Sequence, residues 1–222
     1  MTYDKLMQMY QLLFERFGPQ GWWPGQSTTE IIIGAILTQN TSWKNVEKAI
    51  ANLKLARCLD FDKINAMHVD FVAELIRPAG YYNIKAARLK NFVNWFFAEY
   101  HGDLRLVENV PTDLLREKLL SVKGIGRETA DSILLYAFER PVFVIDTYTF
   151  RVLSRHYMID EYCEYDMMKD LFERNLKLDA KLFNEFHALF VCVGKDYCKP
   201  RPKCHGCPLD CLPHSREQGE SG

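Results

Sequence analysis

The sequence lacks an apolar run of membrane-spanning length: the longest, around residues 31–37, is interrupted by Gly34. It lacks an excess of either charge, with 28 Lys and Arg against 29 Asp and Glu and a net charge of −1. A basic excess is the usual footprint of a nucleic-acid binder, but binding depends on where the charge sits, so this balance argues only mildly against one. The amino end, MTYDKLMQMY, lacks the basic-then-apolar order of a secretion signal, and the protein is expected in the cytoplasm. No repeat at solenoid spacing is visible. Cysteine is sparse for most of the chain, with only Cys58, Cys163 and Cys192 before residue 198.

What is present is helical periodicity. Residues 3–17 place Leu6, Met7, Tyr10, Leu13 and Phe14 on one helical face. A turn-rich stretch, GPQGWWPGQSTT, follows, and Ser27 with Glu30 has the spacing of a capping box. Further helices are expected over 41–53, 71–76, 83–100, 112–120, 127–138, 147–155, 165–175 and 180–193. Only residues 142–145 (VFVI) read as a strand, too short and solitary to build a sheet. The expected fold class is all-α.

The segment VKGIGRETA (122–130) is the first chemical signal. A dinucleotide fingerprint would need a preceding strand and a third glycine where Thr129 stands, and it has neither. Two glycines between helices can instead turn the backbone tightly and present N–H groups to an anion near a helix N-terminus. Lys123, Gly124, Ile125, Gly126 and Thr129 would then form a hairpin that grips a DNA phosphate without reading sequence. A plain αα-turn that binds nothing is the competing reading. Farther on, Asp146 opens a helix in VIDTYTFRV, as an N-cap or as a reactive carboxylate.

Four cysteines crowd into fourteen residues: Cys198, Cys204, Cys207 and Cys211, in the pattern C-x5-C-x2-C-x3-C. In a reducing compartment such a cluster reads as metal binding, and the spacing by itself fits either zinc or an iron–sulfur cluster. Lys195, Lys199, Arg201 and Lys203 surround it, opposed only by Asp196, and offer a local basic patch for a DNA backbone.

LLSVKGIGRETA, an intervening helix and VIDTYTFRV together resemble the helix-hairpin-helix DNA glycosylases of the endonuclease III superfamily, over most of the chain. WWP, the ILTQNT segment with Trp43 close behind it, RPAGYYN and KGIGRETAD resemble the 3-methyladenine glycosylases of that superfamily more particularly. The resemblance implies two helical lobes with the active site in the cleft between them. One is a six-helix, barrel-like domain over 25–139 carrying the hairpin. The other joins 1–24 to 140–222 and carries a cluster loop at 198–211. It also implies a [4Fe–4S] cluster on the four cysteines, although the first gap is one residue and the last two residues shorter than the family's pattern. Zinc stays open as the alternative.

By the same resemblance Asp146 is the catalytic carboxylate. Glu128 occupies the position where lyase-active relatives carry the lysine that forms a Schiff base, and a carboxylate cannot form one. The expected activity is therefore a monofunctional, base-excision-repair DNA glycosylase that uses water, with Asp146 activating it or stabilising the oxocarbenium-like sugar. Such an enzyme suits a base that already leaves well, such as a purine alkylated at N3 or N7. The indole rings of Trp22, Trp23 and Trp43, with Pro24 beside them, would line a pocket for that cationic base, at ~0.5–2 kcal/mol per aromatic contact. Gln39 matches the residue that fills the gap left by the flipped base, and Tyr81 the wedge opposite the lesion. The expected partner is damaged double-stranded DNA, bound by a monomer that is nucleoid-associated when on DNA. Two alternatives stand beside this reading: an endonuclease III-like glycosylase for damaged or mismatched pyrimidines, and a non-catalytic DNA-binding module.

Overall fold

The structure, a computed structural model, describes residues 2–23 and 25–215. The helices are α1 (Thr2–Phe17), α2 (Thr28–Leu37), α3 (Trp43–Leu55), α4 (Phe61–Ala66), α5 (Val69–Leu75) and α6 (Tyr82–Tyr100). They continue with α7 (Arg105–Glu108), α8 (Thr112–Leu120), α9 (Arg127–Ser132), α10 (Thr147–Arg155), α11 (Tyr165–Glu173) and α12 (Ala180–Asp196). Among the described residues there is no strand, and the fold is all-α. No helix of these residues is long and apolar enough to cross a membrane. The chain divides into two compact units: one continuous, Trp23–Arg140, the other joining the residues up to Trp22 to those from Pro141 onward.

The continuous unit is built around α2. Its residues Ile32, Ile33, Ile36 and Leu37 are wholly buried, and a helix apolar on every side belongs in the middle of a domain. It packs against α3, α6, α9 and the π-helical turn Ile133–Ala137. Ser27 Oγ accepts from the Glu30 amide at 3.2 Å, as the capping spacing predicts. The Glu30 carboxylate turns back to the Gln26 amide at 3.3 Å and pairs with Lys54 Nζ at 2.8 Å, so the start of α2 is held from both sides. A second cluster of rings, Phe61, Phe92 and Phe96, fills the space between α4 and α6, with the half-buried Trp95 against Phe92 and Tyr100. The periodicity did not reveal α4; Asp60, whose side chain accepts from the Lys63 amide at 3.0 Å, is its start signal.

In the discontinuous unit α12 runs beside α1 and α10, burying Leu6, Met9 and Leu13 of α1. Its core is phenylalanine: Phe143 stacks on Phe172 with centroids 3.6 Å apart, and Phe183, Phe186 and Phe190 meet them edge-on. Gly194 lets α12 approach α10 closely, because any Cβ there would collide with the Tyr148 ring. Residues 142–145 correct the strand expectation. They are buried and belong to no strand, and side chains accept from two of their amides: Phe143 N donates to Glu173 Oε1 at 2.8 Å and Ile145 N to the Tyr165 hydroxyl at 3.3 Å. Side-chain acceptors can replace a neighbouring strand for buried amides such as these two.

Candidate active site and metal-binding loop

In the continuous unit the hairpin lies between α8 and α9. Gly124 has φ +99°, and a Cβ there would collide with the side chain of Arg88, so glycine is required twice over. Ile125, 5% exposed, anchors the turn in the core, while Lys123 and Gly126 are exposed. The carbonyls of the hairpin are drawn inward. Asn91 Nδ2 donates to Lys123 O at 2.9 Å, and Gln39 Nε2 donates to Gly124 O at 3.1 Å and to the buried Thr129 Oγ1 at 2.8 Å. Arg88 Nη1 in turn donates to Gln39 Oε1. With its acceptors tied back, the exposed rim of the turn at the start of α9 is biased towards N–H donors, the polarity an anion needs. Beneath it, Arg116 of α8 grips Asp131 of α9 through two bonds of 2.6 and 3.0 Å, with Asp131 wholly buried. Glu128 is exposed in the first turn of α9.

The same unit holds a set of rings. Trp23 meets Trp43 edge-on at 4.9 Å and lies over Tyr136 at 4.8 Å with 31° between planes. Gly34 of α2 sits against both indoles, its absent Cβ position 3.4–3.5 Å from their atoms. Tyr136 was not singled out by the sequence; it belongs to the π-helical turn after α9, a distortion often found at functional sites. Pro24 lies outside the described residues. Trp22 belongs to the other unit, where Lys195 Nζ stands 5.7 Å from its ring.

Tyr81 projects from the turn ahead of α6, 69% exposed, with a left-handed backbone (φ 45°, ψ 32°) directly after Gly80 at φ +69°. A tyrosine held in that region stores strain, which requires support from its surroundings. Lys85 supplies it. Only 1% exposed, Lys85 donates from Nζ to Ala79 O at 2.7 Å, and burial together with the nearby Arg88 pushes its pKa down to about 8.

In the discontinuous unit Asp146 is the N-cap of α10. Its Oδ1 accepts from the Thr149 amide at 2.7 Å, and its Oδ2 faces His187 Nε2 of α12 at 3.7 Å. The structural and the chemical readings of this residue are therefore compatible: one oxygen caps the helix and the other remains oriented towards a second titratable group. His187 is 5% exposed; burial pushes its pKa down, partly opposed by Asp146.

The cysteine loop is fastened to α10 by two arginines. Arg151 Nε donates to Cys198 O at 2.6 Å, and Arg155 donates to Cys198 Sγ at 3.2 Å, to Lys199 O at 2.6 Å and to Pro200 O at 2.8 Å. Cys198, Cys204 and Cys207 line one cavity with Asp210 and His214. Burial pushes the Cys207 thiol up to about 11, with Cys198, Cys204 and Asp210 adding negative charge nearby. Cys211 is exposed and stands outside that wall, its Sγ turned to Pro208 O at 3.8 Å. Ligand atoms of Cys204, Asp210 and His214 lie within 4.8 Å of one another.

A glycine-turned hairpin between two helices, with an aspartate opening a later helix, is the arrangement expected of a helix-hairpin-helix DNA repair protein. The comparisons agree, and the chain belongs to the HhH-GPD superfamily of base excision DNA repair proteins, whose pattern matches residues 33–178. A protein of Methanocaldococcus jannaschii, assigned by name to the DNA repair glycosylases, is 46% identical over 209 residues, spanning 93% of this chain and 94% of its own. The 3-methyladenine DNA glycosylase MagIII of H. pylori, solved with bound 1,N6-ethenoadenine, superposes with a TM-score of 0.73 at 31% identity, covering 87% of this chain and 97% of that one. An endonuclease III–DNA complex has the same fold, with a TM-score of 0.81 at 21% identity over 97% of this chain and 96% of that one.

Proposed function

We propose that this protein is a monofunctional DNA glycosylase that flips an alkylated purine such as 3-methyladenine out of damaged double-stranded DNA and hydrolyses its N-glycosidic bond. The observation that carries the reading is the pairing of a carboxylate, Glu128, at the lyase-lysine position with the ring set Trp23, Trp43 and Tyr136. No amine stands at that position to attack C1′, so water is the nucleophile and the base must leave readily. A base cationic from alkylation does so, and aromatic faces stabilise it without needing its exact hydrogen-bonding edge. The likeness to a 3-methyladenine glycosylase supports the same substrate class.

Each unit supplies a different part of the work. In the discontinuous unit Asp146 Oδ1 is fixed by the Thr149 amide. That leaves Oδ2 to take the proton of the attacking water or to stabilise positive charge on the sugar as the base departs. The carboxylate sits at the N-terminus of α10, with His187 Nε2 3.7 Å from Oδ2. In the continuous unit the hairpin 123–126 and Thr129 hold a phosphate, and Tyr81 wedges the duplex. Gln39 fills the vacated stack by exchanging its bonds to the hairpin for base edges. Unstacking costs a few kcal/mol, on the order of what such insertions return. The loop 198–214 presents three thiols in one cavity beside an imidazole, a donor set that fits a [4Fe–4S] cluster or a zinc ion. Such a centre would add its binding energy to the folding of the loop.

The test is release of free base by the wild-type protein from three duplexes: methylated, carrying a T·G mismatch, and carrying oxidised pyrimidines. Preferential release of methylpurine is expected. Preferential release of pyrimidines would replace this reading with the endonuclease III-like one, and binding without release from any duplex would leave a DNA-binding module.

A further inference from the structure

We propose that Arg88 is a positioning residue for base extrusion: it holds Gln39 parked on the phosphate-gripping hairpin, and its bond to Gln39 must break before Gln39 enters the duplex. The inference deepens the reading above and rests on its assignment of Gln39 to the vacated stack. Arg88 lies on α6, half-buried, with its side chain so close to Gly124 that the hairpin has no room there for a Cβ. From that place Nη1 donates to Gln39 Oε1. Among the described residues no carboxylate pairs with this guanidinium, and its charged neighbour Lys85 repels it. The Gln39 oxygen therefore meets a cation with no competing anion, and such a bond is stronger than one between neutral groups.

Gln39 is held on its other side as well. Nε2 donates to Gly124 O at 3.1 Å and to Thr129 Oγ1 at 2.8 Å. An arginine only donates and a carbonyl oxygen only accepts, so the amide fits this place in one orientation, its oxygen to α6 and its nitrogen to the hairpin. The backbone beside it is set by a turn, in which Thr41 N bonds to Thr38 O at 3.2 Å and Asn40 adopts φ +53°. Leaving the hairpin is thus a side-chain movement that breaks the bonds to Arg88, Gly124 and Thr129. A base edge offers Gln39 new partners, but neutral ones. The bond to the guanidinium is the part of the parked arrangement that insertion does not recover. A ligand binds more weakly to a protein whose competent arrangement is only fractionally populated, in proportion to that fraction. Arg88 thereby sets how readily the gap is filled.

The experiment measures the affinity of the full chain for a duplex carrying a tetrahydrofuran abasic analogue and for the same duplex intact, and takes the ratio. The analogue presents the gap without requiring base release, and the ratio cancels the effect of a lost positive charge on general DNA attraction. Wild type, Arg88→Met, Gln39→Ala and the double variant are compared, with circular dichroism recording helical content. Arg88→Met keeps a stem over Gly124 but donates nothing. It should raise the preference for the abasic duplex about 10-fold, the worth of one hydrogen bond to a charged group. Gln39→Ala should lower that preference. In the Gln39→Ala background Arg88→Met should have no further effect, an outcome that a merely structural role of Arg88 would not give. Arg88→Leu, which also lacks a donor, repeats the test if the methionine variant loses helical content. An unchanged or lowered preference in Arg88→Met, or the same rise with and without Gln39, would overturn the inference. A wild-type preference in Gln39→Ala would overturn instead the assignment of Gln39 to the gap, on which the inference rests.

Discussion

Arg116→Met should destabilise the protein far more than an exposed arginine would. Arg116 is largely enclosed, with 17% of its side chain exposed, and makes a two-pronged contact with an Asp131 carboxylate that solvent does not reach. Removing the guanidinium takes a counter-charge and two hydrogen bonds from a buried anion, at a cost of about 3–5 kcal/mol. Whole domains are stable by only about 5–15 kcal/mol, so this is a large fraction. At about 2–4 °C per kcal/mol for a chain of this size, the melting temperature should fall by roughly 6–20 °C. Replacing both partners, as Arg116→Met with Asp131→Leu, should recover most of the loss, because no buried charge then remains. Calorimetry or chemical denaturation of the two single variants and the double variant measures the coupling. A single-variant loss below about 1 kcal/mol would refute the argument that this pair clamps the two helices of the hairpin.

Gly124→Ala should cost about 1–3 kcal/mol, since it forces a side chain into a positive-φ position and against Arg88. It should also weaken binding to undamaged duplex, and unchanged DNA affinity would separate the hairpin from phosphate contact. Because burial depresses the pKa of His187, the unfolded chain takes up a proton that the folded one refuses below about pH 6.5. That stability is present above this pH and lost as the pH falls through it; denaturation curves between about pH 5 and 8 should be flatter for His187→Gln, and parallel curves would contradict the assignment. Trp43→Ala should lower kcat/KM on methylated DNA roughly 2- to 30-fold, the loss of one ring contact to a cation, while a normal value would remove Trp43 from the base pocket.

The parts of the fold set by local pattern were legible in the sequence. Ser27 and Glu30 announced the start of α2, and the glycines at 124 and 126 announced a turn whose first member has the backbone angle only glycine adopts easily. The run VFVI was misleading because β-branched residues favour extension wherever they are buried; acceptors from Glu173 and Tyr165, thirty and twenty residues away in sequence, made a sheet unnecessary. Tyr136 was hidden because the π-helical turn shifts the register by which an α-helical pattern assigns faces. His187 sits in a helix of core residues, and nothing in spacing distinguishes a histidine that meets Asp146 from one that packs. Gln39 was visible as a residue but not for its bonds to Gly124 and Thr129, contacts across more than eighty residues of chain. Cys211 shows the converse: the motif counted it with three other cysteines, and the turn at 207–212 puts it outside the cavity they line.

The measurement that bears most directly on the central claim scores strand nicking of methylated duplex DNA before and after alkali, for the wild type beside Asp146→Asn. The account predicts abasic sites that break only after alkali, and a loss of both base release and nicking in the variant, with DNA binding retained. Nicks in the wild type before alkali would contradict it, because they would require some other amine to act as a lyase although Glu128 stands at the lysine's position.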